Sequence, residues 1–329
     1  MGKIPVLIDT DVDIDDWMAI LYLLKHPGVH VLGITTTGCG ASHLTPGTRN
    51  AHDLTMLTEF PDTPVAAGTS TPHIYSNQFP SALRRDIDTL YGLSLPRNPR
   101  PLDDRPAVRF LHDTLRAAEL PVTILAIGGG TNLGALLLEH PEVKPKIARI
   151  VMMGGTINLP GNIVAVANNY TNKVAEWSIF LDVIGAQLML GSGVPITLVP
   201  LDACQYVRID KQFYDRLDAS CASRAARFVR DALKADLESV ESGDFYAWDP
   251  LAAAILVDPE LARPRGSKVS PQQMQLEVVQ TLDEEDDRSG ELRMTTKGPV
   301  LDVAMWASAD GFYDRFLKVI NLPDRAERQ

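Results

Sequence analysis

The sequence predicts an α/β fold: an open, mostly parallel, Rossmann-like sheet flanked by helices, with a small antiparallel C-terminal extension. Three observations carry that prediction. Short apolar runs at Ile4–Ile8, Val122–Ile127 and Ile147–Met153 read as buried strands. Helical stretches alternate with them, the signature of parallel βαβ units. The last third switches to apolar–polar alternation around an acidic turn, which is antiparallel hairpin chemistry.

The first strand runs into Ile8-Asp9-Thr10-Asp11-Val12-Asp13-Ile14-Asp15-Asp16, and Trp17–Leu24 then reads as a helix. Five carboxylates thus stand within eight residues at a strand-to-helix turn, where open α/β sheets build their sites. Carboxylates this close repel one another unless a cation joins them. An all-oxygen set suits a hard ion, Ca²⁺ or Mg²⁺. A solvated acidic loop with Asp15 or Asp16 capping the helix is the plainer alternative. An EF-hand is excluded, because loop positions six and twelve hold Ile14 and Ile20 rather than Gly and Glu. The aspartyl-phosphate hydrolases of the haloacid dehalogenase type also open with strand-Asp-x-Asp-x-Val and stay open at this point.

Composition narrows the field. The 329 residues are 45% apolar, enough for one large domain, and no linker divides them, so a single domain over 1–329 is expected. A net charge of −11 without any basic run argues against a nucleic-acid polymer as partner. Cys39, Cys204 and Cys221 are odd in number and far apart, which indicates neither a disulfide framework nor a zinc site. No stretch approaches a signal peptide or the ~18 apolar residues of a membrane span. A reduced, cytoplasmic globular protein is expected.

Further along, Val29–Thr35 reads as a strand, residues 48–58 as a helix and Val65–Ala67 as a short strand. Residues 68–105 are rich in Pro, Ser and Asn and read as a long loop, either one that packs itself down or one whose aromatics Tyr75, Phe79 and Tyr91 face a ligand. After the helix 107–119 and the strand Val122–Ile127, Gly128-Gly129-Gly130 matches neither a dinucleotide nor a P-loop pattern, and is read as close backbone approach to something bound. An irregular stretch 158–172, a helix Asp182–Leu190, a strand Ile196–Val199 and helical residues 209–241 follow. Asp249-Pro250 opens a buried helix with proline near its first position. Leu276–Leu282 and Leu292–Thr295 form the expected hairpin, joined through Asp283–Asp287. Leu301–Trp306 and a helix Gly311–Ile320 close the chain.

Taken in order and spacing, Asp9-x-Asp11-x-x-x-Asp15-Asp16, Thr48-Arg49-Asn50-Ala51, Gly128-Gly129, Met153-Gly154-Gly155, Glu176-Trp177 and Asp249-Pro250-Leu251 resemble the inosine–uridine-preferring nucleoside hydrolase family over nearly the whole chain. The resemblance implies that family's fold, a bound Ca²⁺, and hydrolysis of the N-glycosidic bond of ribonucleosides, by a homodimer or homotetramer. By position it makes Asp11 a metal contact and the general base toward water, and Asp16 and Asp249 bidentate metal ligands, with Asp249 near the 3′-hydroxyl. Ile127 offers its backbone carbonyl to the metal, and Asp15 binds the 2′-hydroxyl. Glu176 holds the 5′-hydroxyl with an upstream asparagine, Asn169 by spacing or Asn162. The chemistry suits the residue types: the ion acidifies a water, a carboxylate takes its proton, and further carboxylates stabilise an oxocarbenium-like sugar.

Four departures bear on the substrate. Val12-Asp13 replaces the family's Pro-Gly, with Asp13 facing solvent or tightening the ion. Ser42 stands near an amide or acid that the family offers to the sugar. Ser178 stands where an asparagine binds the ribose. Trp248 replaces a histidine that protonates the leaving base, and no histidine lies beyond His140. Trp248-Asp249 resembles the purine-specific branch, in which an indole stacks on the base; a core aromatic at a helix start is the alternative. Two rival functions remain on these grounds. A non-catalytic nucleoside- or sugar-binding relative fits Ser178 and the missing histidine. A dehalogenase-type phosphohydrolase needs a later acidic motif, which Met153-Gly154-Gly155 does not provide.

Overall fold

A computed structural model describes residues 2–264, 271–281 and 286–324. Its strands are β1 (Ile4–Thr10), β2 (Val29–Thr36), β3 (Val65–Ala67), β4 (Val122–Ile127), β5 (Ile147–Met153), β6 (Ile196–Val199), β7 (Gln272–Val278), β8 (Leu292–Met294) and β9 (Val300–Val303). They form one mixed sheet in the order β3-β2-β1-β4-β5-β6-β9-β7-β8. From β3 to β9 neighbouring strands are parallel; β7 runs antiparallel to β9 and β8, pairing Leu276 with Met294. The expected parallel sheet with an antiparallel extension is therefore the observed one. Residues 282–285 of the expected hairpin turn lie outside the described residues.

The chain leaves β1 outward through β2 and β3, then returns to β4 on the other side of β1. That reversal makes the carboxyl ends of β1 and β4 a topological switch point, the crevice where such sheets bind ligands. The acidic loop follows β1 directly.

The helix Ile14–Lys25 is buried at all twelve positions. An apolar, all-round helix must lie inside the molecule. It packs between the sheet and a second shell that includes Arg224–Ala235 and Ala309–Ile320, alongside Trp248–Val257, which is buried from Asp249 to Leu256. A separate cluster covers the other face of the sheet, drawn from Ala107–Ala117, Thr131–Glu139 and Val183–Leu190.

Several elements differ from the sequence reading. The first helix begins at Ile14, because Asp13 caps it and Asp16 closes a capping box. The helix expected at 48–58 runs Leu44–Leu54, with a 3₁₀ turn beyond it. Residues 68–105 contain a helix, Ser81–Asp88, and the stretch 158–172 holds a single turn at Ile163–Val166. At Gly128 the chain itself makes a close approach: a Cβ there would stand 2.9 Å from the Asp11 backbone nitrogen. Gly130 packs in the same way on the backbone of Gly185 and Ala186.

Candidate active site

The loop after β1 is shaped by a residue in an uncommon conformation. Val12 lies at φ 68°, a region that β-branched residues rarely enter and that costs of order 1–3 kcal/mol. Two hydrogen bonds hold it there. Its N–H donates to Thr10 Oγ1 at 3.0 Å, and its carbonyl accepts from Trp17 Nε1 at 2.9 Å. The kink turns the chain so that Asp11 faces a cavity while Asp13 becomes the helix cap, with its Oδ1 accepting from Ile14 N at 2.7 Å.

Asp11 is buried, and its Oδ2 accepts from the N–H of Ala41 at 2.8 Å. Gly40 permits this approach: a Cβ at that position would fall 1.8 Å from Asp11 Oδ2. Ser42 donates its hydroxyl to the Asp11 carbonyl at 2.6 Å, so it braces the loop and points no group at a sugar. Arg84 donates to the carbonyls of Gly38 and Ser42 from the other side. Its charge is the one cation that lowers the Asp11 pKa, against a larger upward push from burial.

Asp15, Asp16 and Asp249 each present an oxygen within 4.8 Å of the other two. Asp15 and Asp16 lie in the first turn of Ile14–Lys25 and Asp249 in the first turn of Trp248–Val257. Two helix N-termini, whose free N–H groups favour anions, therefore converge there. Asp16 Oδ1 accepts from Thr10 Oγ1 and Oδ2 from Asp13 N, which fixes its orientation. Burial drives all these carboxyls upward: Asp15 to about 7, with Asp11 adding to it, and Asp16 and Asp249 well above the usual range, with neighbouring aspartates adding to them. Buried carboxylates gathered this closely, with Arg84 the one guanidinium acting on Asp11 among the described residues, call for a compensating cation. The oxygen-only donors fit a hard divalent ion. The tight trio includes Asp15, whereas Asp11 stands one step aside, drawn to Ala41.

Asp9 belongs elsewhere. It accepts from Thr35 Oγ1 at 2.6 Å and Asn132 Nδ2 at 2.8 Å, tying β1 to β2 and to the helix after β4. Four of the five clustered aspartates, not five, line the cavity.

Glu176 caps the short helix Trp177–Leu181 and enters the cavity from the opposite wall. Its oxygens accept from Gly155 N (2.7 Å), Ser178 N (2.9 Å) and Ser178 Oγ (3.2 Å). Burial still pushes it up to about 7. Gly154 and Gly155, both at positive φ, let the chain after β5 bend toward it. Asn162 lines the cavity and accepts from Trp177 N at 3.1 Å, whereas Asn169 is exposed and lies off it.

The cavity measures about 740 Å³ and is walled by Asp11, Asp15, Asp16, Ile127, Asn162, Glu176, Ser178, Trp248 and Asp249. All the site residues expected from sequence are thus brought together except Asn169. Trp248 is half-buried there, its ring 5.3 Å from Phe245 and 5.7 Å from Tyr246. Of the loop aromatics that the sequence offered to a ligand, Phe79 and Tyr91 line the cavity, Phe79 stacking on Trp177 at 4.1 Å, and Tyr75 does not; Asp236 and Asp244 are wall residues that sequence reasoning missed. The doublet Phe245-Tyr246, three residues before the Trp-Asp pair, was the available signal for part of that wall.

A doubly wound sheet with a carboxylate-lined cavity at its switch point defines an α/β class that binds a small ligand outside the carboxyl ends of its strands. The comparisons narrow this. A family model described as "Inosine-uridine preferring nucleoside hydrolase" matches residues 6–314, and the chain belongs to that family. Members of the family hydrolyse the N-glycosidic bond of nucleosides. The chain is 32% identical over 268 residues to "Pyrimidine-specific ribonucleoside hydrolase RihA" of Escherichia coli O1:K1 / APEC, covering 78% of this chain and 81% of that one. It is 30% identical over 267 residues to "Uridine nucleosidase 1" of Arabidopsis thaliana, covering 78% and 74%. In structure it superposes on "Purine-Preferring Ribonucleoside Hydrolase from Gardnerella vaginalis" with a TM-score of 0.78 at 26% identity, over 96% and 98% of the two chains.

Proposed function

We propose that the chain is a Ca²⁺-dependent ribonucleoside hydrolase that releases ribose and free base, with purine nucleosides favoured. The observation that carries this reading is the convergence of Asp15, Asp16 and Asp249 beside Asp11 in a buried cavity. Asp16 and Asp249, with Asp11 and the carbonyl of Ile127, hold the ion. When bound, Ca²⁺ neutralises the cluster and makes a nearby water more acidic. Asp11, fixed by Ala41, takes the proton of the attacking water. Asp15 and Asp249 bind the 2′- and 3′-hydroxyls, and Glu176, with Ser178 and Asn162, holds the 5′-hydroxyl. As the glycosidic bond lengthens, the sugar gains positive charge, which the surrounding carboxylates stabilise.

On the base side, Trp248 stacks on the leaving group. A purine accepts a proton at N7 and leaves neutral, so stacking alone assists it. A pyrimidine needs a positioned acid. Tyr91 is a candidate for that part, because burial and the neighbouring Asp13 and Asp236 keep its phenol protonated. Pyrimidine preference is the second reading, favoured by the two relatives named for pyrimidine substrates.

Residues 1–329 act as one catalytic unit in this proposal, since β1 and β9 share a sheet and Asp249 meets Asp16 in one cluster. A cytoplasmic homodimer or homotetramer suits the three free cysteines. No helix among the described residues is long and apolar enough to cross a membrane. Initial rates on inosine, adenosine, uridine and cytidine, with Ca²⁺ and with chelator, test the reading. Ca²⁺-dependent release of base, faster from inosine than from uridine, is expected. No release from any nucleoside overturns it in favour of a binding protein, and faster uridine hydrolysis selects the pyrimidine reading.

A further inference from the structure

A second group of metal-ligating side chains lies outside the cavity. His112 projects from the helix Ala107–Ala117, and His140 ends the helix Thr131–Glu139. Their ring centroids stand 4.3 Å apart. Glu142, in the 3₁₀ turn Pro141–Lys146, directs a single oxygen at both rings. Its Oε1 is 3.3 Å from His112 Nε2 and 3.4 Å from His140 Nδ1. All three donor atoms fall within 4.8 Å of one another.

These separations are long for N–H···O hydrogen bonds, which cluster near 2.9–3.0 Å. They match another geometry. Ligands held at about 2.0–2.1 Å in a tetrahedron lie about 3.3–3.4 Å apart along its edges.

The far side of His112 strengthens the argument. Its Nδ1 is 2.9 Å from Asp113 Oδ1. The other Asp113 oxygen is occupied by Arg109 Nε at 2.8 Å and Arg105 Nη1 at 3.4 Å. With Nδ1–H donating to Asp113, the lone pair on Nε2 points at the Glu142 carboxylate. A lone pair facing an anionic oxygen is repulsive, and either a proton on Nε2 or a metal ion between the two relieves it; the separation of 3.3 Å, beyond the usual N–H···O range, favours the ion. A carboxylate behind a ligating histidine is the usual outer support of an imidazole–metal bond. His112 is buried, His140 half-buried and Glu142 exposed, so the set is anchored at one end and open to water at the other.

We propose that His112, His140 and Glu142 form a second metal site, separate from the acidic cavity, for a borderline divalent transition ion such as Zn²⁺, with water as a fourth ligand and Asp113 as the positioning residue for His112. Two imidazoles select such an ion over Ca²⁺ or Mg²⁺. Bound there, the ion clips the helix Ala107–Ala117 to the turn that follows Thr131–Glu139. Because it binds the folded chain, it raises thermal stability.

The test uses the full chain, stripped with chelator and then kept in excess Ca²⁺. Zn²⁺ is titrated by calorimetry and Co²⁺ by visible absorption, on the wild type, His140→Ala, Glu142→Gln, Asp113→Asn and Asp16→Asn. The wild type is expected to take up one tight Zn²⁺ per chain and to give Co²⁺ the intense visible bands of four-coordination. His140→Ala weakens that binding at least 100-fold, and Asp113→Asn weakens it about 10–100-fold. Asp16→Asn leaves it intact, and nucleoside hydrolysis by His140→Ala stays within about two-fold of the wild type. His140 is half-exposed, and an unchanged melting temperature in chelator verifies that its variant folds. Equal Zn²⁺ affinity in the wild type and His140→Ala overturns the proposal. So does the absence of a tight Zn²⁺ in the wild type, or a Zn²⁺ equivalent lost in Asp16→Asn.

Discussion

The cavity has a floor and a roof made in different ways. The floor consists of Asp11, Asp15, Asp16 and Asp249, set at a strand end and two helix N-termini that are buried on every side. The roof consists of Tyr91, Phe79, Trp177, Phe245, Tyr246 and Trp248, drawn from three separate stretches of chain. The floor is anchored by backbone contacts: Asp11 accepts from the N–H of Ala41 and Asp16 from the N–H of Asp13. The roof is held by ring contacts, which tolerate exchange of one aromatic for another. In the proposed function, the chemistry that must stay constant is assigned to the floor and discrimination between bases to the roof. Relatives named for pyrimidines and for purines share the fold of this chain, which agrees with that division.

The contrast breaks if floor variants behave like roof variants. Asp11→Asn is expected to lower kcat about 10²–10⁴-fold, as loss of a general base does, on inosine and uridine alike, with the melting temperature kept. Similar loss on one substrate only would move Asp11 to the roof's role. Gly40→Ala is the floor's second test. Its new methyl would overlap Asp11 Oδ2, so the carboxylate must leave Ala41, and a loss of about 10–100-fold is expected without any change at Asp11 itself. Steady-state rates at saturating Ca²⁺ measure both.

Roof variants should show smaller, substrate-dependent effects. Trp248→Ala removes a stacking contact of roughly 0.5–1.5 kcal/mol, which corresponds to about two- to ten-fold in kcat/KM for inosine. The loss should be smaller on p-nitrophenyl riboside, whose leaving group needs no proton. Equal losses on both would reduce Trp248 to wall packing. Tyr91→Phe should slow uridine more than inosine, measured by the ratio of their kcat/KM values.

Sequence alone made the floor more legible than the roof, of which it offered Phe79, Tyr91 and Trp248, for a physical reason. The aspartates of the floor are mostly local: Asp11, Asp15 and Asp16 lie within six residues after a buried strand, and Asp249 announces itself by Asp-Pro at a helix start. Only Asp9 misled, since its carboxylate serves Thr35 and Asn132 inside the sheet. Tyr91 and Phe79 come from a Pro- and Ser-rich stretch whose helix, Ser81–Asp88, has only Arg84 and Ile87 buried and so leaves little periodic signal. The glycines after β4 correctly announced close approach, but nothing in their spacing said that the partner was the Asp11 backbone. Spacing favoured Asn169, whereas the fold puts Asn162 on the cavity together with Ala165 and Val166 of the following turn, and Asn169 lies past that turn, exposed.

The smallest expected effect concerns pH. In metal-free protein, Asp15 is held up at about 7 against 3.8 for an ordinary aspartate. Between those values the native state binds more protons than the unfolded state, so this group's contribution to stability falls as pH rises from about 4 to 7. A bound cation removes that penalty, and protons compete with it at low pH. The rise in melting temperature on adding Ca²⁺ to chelated protein should therefore be larger at pH 8 than at pH 5. An equal rise at both would place the ion away from these carboxyls.

The most direct measurement is a Ca²⁺ titration of chelator-stripped protein, following inosine hydrolysis and heat of binding together, in the wild type and Asp16→Asn. One Ca²⁺ per chain should restore the rate in step with binding, and Asp16→Asn should shift the midpoint at least 100-fold upward. Full hydrolysis by the stripped wild type, or the same midpoint in both proteins, would contradict the account.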